Sequence, residues 1–356
     1  MGKSAITLAT MFGMAVAFSG SASAITFTPF VNAADISSAL SNNSTIGFSY
    51  AGNKFVGSVY FGANNNQLYQ TDLSGGNVQS FGPAIPGASG EIYVSSSLGL
   101  GGFPSRDIYA TQGNSVYHIT NDGLSGGSFV SGLTGGVRGI AFDPYGVYGY
   151  DMLVTTDAGS VYRVNSGGTP TLLANLGYDT EGLDFTPQAF GPYATGTLVV
   201  ASEGSGRLTA IDSAGTTADL GVSIPGAVEM LSFVPLSLGI SGSSLEGFYA
   251  ANYPTNVVHA GATEFTPYLG DAIVTAETTH RVYQVHWNPL TLSFDVTDLG
   301  AFPGQPEDGI FVTAEIINPG CRETNSCPSP VPEPTTLTLM GVGFLGLAAA
   351  RRLRKA

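Results

Sequence analysis

Arg138-Gly-Ile-Ala-Phe-Asp-Pro144, Asp151-Met-Leu-Val154 and Ser160-Val-Tyr-Arg-Val164 are three short runs whose reading decides the fold. Each is rich in β-branched and aromatic residues and bounded by turn residues, so each reads as a strand. The pattern recurs as Ser58-Val-Tyr-Phe61 with Gln67-Leu-Tyr-Gln70, and as Asp107-Ile-Tyr-Ala110 with Ser115-Val-Tyr-His118. It returns as Gly196-Thr-Leu-Val-Val200 with Gly206-Arg-Leu-Thr209, and as Asp271-Ala-Ile-Val274 with Arg281-Val-Tyr-Gln284. The equivalent positions Tyr69, Tyr117, Tyr162 and Thr209 lie 48, 45 and 47 residues apart, and Val258 follows after 49. Tyr283 comes only 25 residues later, so the last unit is expected to be truncated or to overlap its neighbour.

A second element keeps the same phase. Ile140-Ala-Phe-Asp-Pro144, Leu183-Asp-Phe-Thr-Pro187 and Leu231-Ser-Phe-Val-Pro235 each place Phe-x-Pro before a variable loop. With an outer run such as Pro170-Thr-Leu-Leu-Ala-Asn-Leu176, this makes four strands in about 45 residues, the arithmetic of a β-propeller blade. The expectation is an all-β propeller of six blades, with five or seven as alternatives. The late run Glu307-Asp-Gly-Ile-Phe-Val-Thr313 is expected to close the ring by joining the N-terminal blade, because closure leaves no long sheet edge exposed. The repeated blocks resemble NHL-type and gluconolactonase-like propellers from about 47 to 315. That resemblance implies the fold and, as an alternative function, a divalent-metal lactonase or related hydrolase.

The two ends read differently. Lys3, the apolar stretch Ile6 to Phe18 and Ala22-Ser23-Ala24 have the order of a secretory signal peptide over 1–24, with Ala22 and Ala24 at the cleavage site. The body is expected over 25–318. A Pro-rich stalk over 319–331 follows, with Cys321 and Cys327 expected to pair in an oxidising compartment. The segment 332–356 opens with Pro332-Glu333-Pro334, continues in an apolar run from Leu337 to Ala350 and ends in Arg351, Arg352, Arg354 and Lys355. Its order closely resembles the PEP-CTERM sorting signal. The resemblance implies export by the secretion machinery, transient insertion of a single hydrophobic helix in the inner membrane and processing by exosortase. It also implies a Gram-negative host that makes exopolysaccharide or biofilm, with the cell surface or extracellular matrix as destination.

Composition narrows the body's partners. Lys3 and the four basic tail residues leave seven of the twelve Lys and Arg in the body and stalk together, residues 25–331. Twenty-five of the 26 Asp and Glu stay there, for a balance of −18. Such a field repels nucleic acid and attracts cations. No Gly-x-Ser-x-Gly elbow, Walker loop, His-Glu-x-x-His or Cys-x-x-Cys occurs, so no catalytic residue is assigned. Glu203-Gly-Ser-Gly-Arg207 reads as a hairpin turn, and the four scattered histidines as structural.

One set of carboxylates repeats. Glu181, Glu229 and Glu307 begin the strands that open units, Glu91 is a fourth candidate, and Arg138 takes the equivalent place in its own unit. Opening strands of a propeller lie nearest the axis, so Glu181, Glu229 and Glu307 are expected at one mouth of the channel, with calcium as the candidate ion. Two function classes follow: a non-catalytic protein whose rim of Tyr, Asn and Asp binds exopolysaccharide or envelope proteins, or the metal-dependent lactonase.

Overall fold

The computed structural model describes residues 24–88 and 90–317. Most of the signal sequence, the Cys321 and Cys327 stalk and the sorting tail lie outside the described residues. Six sheets of four antiparallel strands surround a central channel. From the inside outward, blade 1 comprises Thr45–Tyr50, Phe55–Val59, Leu68–Thr71 and Gln79–Phe81. Blade 2 comprises Val94–Ser96, Ile108–Gln112, Ser115–Ile119 and Gly126–Val130. Blade 3 comprises Val137–Phe142, Met152–Thr156, Ser160–Val164 and Pro170–Asn175. Blade 4 comprises Leu183–Phe185, Leu198–Ala201, Arg207–Ile211 and Thr217–Ser223. The six-bladed expectation holds.

Burial explains why these sequences take these places. The second strand of each blade is covered on both faces by neighbouring blades, so it reads as a continuous apolar run. Met152–Thr156, Leu198–Ala201 and Ala272–Ala276 are buried throughout. Successive residues of such a strand face opposite interfaces. Leu153 packs with Phe185 and Leu198 toward blade 4, while Val154 packs with Phe103 and Tyr109 toward blade 2. The outer strand Pro170–Asn175 is largely exposed. The core is accordingly six wedges, one at each blade interface.

The last two blades depart from the expected order. The hairpin Gly247–Tyr253 and Asn256–Gly261 should have continued the blade opened by Leu231; it belongs to the next one. Blade 5 pairs Val228–Phe233 with Ala272–Ala276, followed by Arg281–Asn288 and Ser293–Ala301. Blade 6 is assembled from three parts of the chain: Gln305–Val312 innermost, the 247–261 hairpin, and Thr28–Val31 at the outer edge. The strand containing Glu307 thus closes the ring against Gly247–Tyr253 rather than against a strand of blade 1. It shares its sheet with the N-terminal strand. Two edges that would otherwise stay open are paired, and blade 6 then packs on blade 1.

Glycine lets the inner strands crowd the axis. A Cβ at Gly182 would lie 2.4 Å from the Leu231 backbone nitrogen, and one at Gly139 would lie 2.5 Å from the Glu181 carbonyl oxygen. These are contacts between adjacent blades, so the close approach excludes a side chain.

Candidate functional site

All six inner strands begin at the same end of the channel. Residues at or just before their starts are therefore gathered there, as are the loops joining second to third strands. Glu181, Glu229 and Glu307 are brought to this end, with 2%, 6% and 1% of their surface exposed. Arg138 joins them as expected. Its Nη1 lies 3.0 Å from Glu91 Oε2 and 3.8 Å from Glu181 Oε1, and its Nη2 lies 3.5 Å from Asp179 Oδ2 and 3.6 Å from Glu203 Oε2. The Tyr93 hydroxyl is 3.1 Å from Glu91 Oε2 and 3.0 Å from Glu229 Oε1. Gln305 Nε2 donates to Glu277 Oε1 at 2.6 Å and to Glu307 Oε1 at 2.8 Å.

Asp179, Glu203, Glu277, Tyr93 and Gln305 are members that the sequence reading missed. Glu203 and Glu277 follow second strands, in what reads only as turn sequence. Their signal is topological: a turn after the second strand returns to the end where the inner strands start.

Seven carboxylates thus gather at this end among the described residues, and four of them, Glu91, Asp179, Glu181 and Glu203, lie within 4 Å of the Arg138 guanidinium. Burial, then repulsion from Glu229, holds the Glu181 carboxyl well above the ordinary range, against the pull of Arg138. Burial, then Glu307, does the same for Glu229. Glu307 is pushed up to about 8 by burial, although hydrogen bonds with Glu229 and Gln305 oppose the shift. Asp179 rises to about 6, again through burial, against Arg138. Burial pulls the Arg138 guanidinium down, but Glu181 and Asp179 outweigh it and hold the group above its usual value. Neither Glu181 oxygen has a hydrogen-bond partner, although both are buried. The Tyr93 hydroxyl is near enough to ease the Glu181 charge, but it is turned toward Glu91 and Glu229.

Among the described residues, no group of three or more His, Cys, Asp or Glu side chains is arranged to hold a metal ion. A calcium ion at Glu181, Glu229 and Glu307 would have to compete with Tyr93, Gln305 and the hydrogen bond between Glu229 and Glu307.

Beneath this layer the channel holds a cavity of about 280 Å³. Its walls include Ile140, Leu183, Leu231 and Ile310, and Ile316 lies at the far end. Ile316 belongs to the turn Ala314–Ile317, which is tied down by Ala314 N donating to Glu246 Oε1 at 3.0 Å and by the Arg106 guanidinium on the Ile316 carbonyl. Three of the four histidines make contacts within the blades. His118 pairs with Asp107 at 2.7 Å and His286 with Asp271 at 2.8 Å, each linking a third strand to the start of a second. His259 stacks on Tyr249.

Residues 330–355 match the PEP-CTERM protein-sorting motif. The chain carries an exosortase sorting signal. The match implies export, processing by exosortase and delivery to the cell surface or beyond. No helix among the described residues is long and apolar enough to cross a membrane. No curated protein matches the chain. Among solved structures, a glucose dehydrogenase-type oxidoreductase of Thermus thermophilus matches with a TM-score of 0.51 at 12% identity, covering 80% of this chain and 90% of that one. The PQQ-bound aldose sugar dehydrogenase of Streptomyces coelicolor matches with a TM-score of 0.50 at 12% identity, covering 83% and 93%. At this identity the likeness is one of fold alone.

Proposed function

We propose that this PEP-CTERM protein is a non-catalytic binding protein of the envelope or extracellular matrix. It passes through an inner-membrane intermediate and holds exopolysaccharide or a partner envelope protein at the acidic end of its propeller. One observation carries the reading: an aromatic rim stands beside the carboxylate layer. Tyr60 and Phe61 occupy the loop after the second strand of blade 1, with ring centroids 3.7 Å apart and Phe61 58% exposed. The Tyr60 phenol is raised by burial and then by Glu91, with Tyr253 and Glu307 also near enough to contribute. Flat apolar rings beside hydrogen-bonding groups suit a sugar face. Nothing in the comparisons favours the lactonase alternative.

The test is binding of the host's purified exopolysaccharide and envelope extract to the wild-type protein and to a Tyr60→Ala/Phe61→Ala variant. Leu290→Ala serves as control, because Leu290 is exposed in a turn at the opposite end. The reading expects the rim variant to lose most of the binding and the control to keep it. Equal retention by all three proteins would remove it.

A further inference from the structure

Glu181 presents a problem that the rim reading leaves unsolved. It is only 2% exposed, both of its oxygens lack a hydrogen-bond donor, and it lines the cavity. A buried carboxylate without donors is costly, and native structures usually supply a partner. The nearby Arg138 guanidinium approaches to 3.8 Å but is committed to Glu91 at 3.0 Å. Below Glu181 the wall is mixed but mainly apolar: Gly182, Leu183 and Phe185 flank Asp184 in blade 4, Met230, Leu231 and Phe233 flank Ser232 in blade 5, and Asp308 lies on blade 6. Asp184 accepts from Phe185 N and Phe233 N, and Asp308 from Phe48 N and Val94 N, so these deeper carboxylates are already taken and the cavity offers an open acidic end above a mainly apolar tube.

We propose that this channel binds a small primary amine, with its ammonium on Glu181 and its hydrocarbon body in the tube between Ile140, Leu183, Leu231 and Ile310. An ammonium carries three N–H donors and a full positive charge. Two donors can satisfy the two Glu181 oxygens, and the third is left for Glu229 or the Tyr93 hydroxyl oxygen beside it. Among the described residues no group of three or more His, Cys, Asp or Glu side chains is arranged to hold a metal ion. An amine needs only one open carboxylate and an apolar wall. Binding here would also relieve the repulsion between Glu181 and Glu229. At 280 Å³ the space fits a small molecule rather than a polymer. The site is separate from the proposed rim function, since neither Tyr60 nor Phe61 lines the cavity.

The experiment is isothermal titration and thermal melting of the purified full chain with n-pentylamine hydrochloride, 1-pentanol and calcium chloride, each at constant ionic strength. The proposal expects saturable binding and a raised Tm with pentylamine, and neither with pentanol. Glu181→Gln should weaken pentylamine binding at least tenfold, because it removes the charge at nearly constant shape. Ile140→Phe, which fills the tube while leaving Glu181 intact, should weaken it comparably. The Tm of each variant without ligand establishes that it is folded. Equal binding of pentanol would show apolar filling alone and overturn the proposal. So would unchanged affinity in folded Glu181→Gln, or a response to calcium with none to pentylamine.

Discussion

The Tyr93 hydroxyl meets Glu229 Oε1 at 3.0 Å across the axis of the propeller. Tyr93 immediately precedes the inner strand of blade 2, and Glu229 lies on that of blade 5. In the ring order these blades stand opposite each other, so this hydrogen bond spans the channel instead of joining neighbours. Tyr93→Phe keeps the ring and deletes the hydroxyl from a buried acidic layer. Loss of such a buried bond costs about 1–3 kcal/mol. The variant is expected to melt several degrees lower, and a double-mutant cycle with Glu229→Gln should give a coupling of roughly 0.5–3 kcal/mol. Additive effects would mean that the two residues act separately.

The buried acids set the pH dependence. Glu307 is raised from 4.5 to about 8, and Asp184 and Asp308 from 3.8 to about 7, in each case chiefly by burial. Between their unfolded and folded values, the folded protein keeps protons that the unfolded chain has released. Stability therefore falls as pH rises from about 4 to about 8 and levels off above. The melting temperature at pH 5 is expected to exceed that at pH 8.5 by roughly 5–10 °C. Asp308 Oδ2 accepts from Phe48 N and Val94 N, joining blades 6, 1 and 2. Asp308→Asn retains an acceptor oxygen while removing the titration, and should flatten part of the slope. A wild-type melt that rises with pH would contradict the assignment.

Local chemistry made most of this legible. The Val-Tyr runs, the Gly turns and Phe-x-Pro carry the four-strand period because strand propensity and turn geometry are set within a few residues. The meeting of Glu181, Glu229 and Glu307 at one end followed from the same phase. The partner of the 247–261 hairpin did not, because that hairpin has the same local pattern as every other second and third strand. It pairs with Gln305–Val312, and its residues fill the wedges on both faces, Phe248 toward blade 5 and Tyr249 toward blade 1. Glu203 and Glu277 were hidden in turn sequence, and Tyr93 precedes a strand of only three residues. Their roles arise from the ring, which brings Tyr93 to Glu229, Glu203 to Arg138 and Glu277 to Gln305.

The sorting tail supplies a prediction independent of the body. Pro332, Glu333 and Pro334 fall within the matched motif at 330–355, as do Arg351 and Arg352. A Pro332→Ala/Glu333→Ala variant is expected to accumulate as an unprocessed, membrane-associated precursor in a host with exosortase. Replacing Arg351 and Arg352 should separately impair retention before processing, because a basic cluster holds the cytoplasmic end. Immunoblots of membrane and medium fractions distinguish these outcomes. Normal processing of the first variant would mean that the motif is not read in this protein.

Blade 6 predicts how the molecule comes apart. Its outer strand Thr28–Val31 and its inner strand Gln305–Val312 come from opposite ends of the body and sandwich the 247–261 hairpin. Gln305–Val312 also places Asp308 against blades 1 and 2, and Phe311 in the wedge with Phe248 and Phe265. Val31 sits with Tyr249, Phe55 and Val312 in the wedge between blades 6 and 1. Removing 307–317 exposes the Gly247–Ala250 edge and opens both wedges. Removing 24–31 exposes the Asn256–Gly261 edge and vacates part of both wedges, Ile25 and Phe27 from one and Phe30 and Val31 from the other. Both deletions should abolish a single cooperative melt, the first more completely, because only it also removes an axis-lining strand. Differential scanning calorimetry and protease sensitivity measure the effect. A 307–317 deletion that melts cooperatively at the wild-type temperature would show that the ring does not depend on its closing strand.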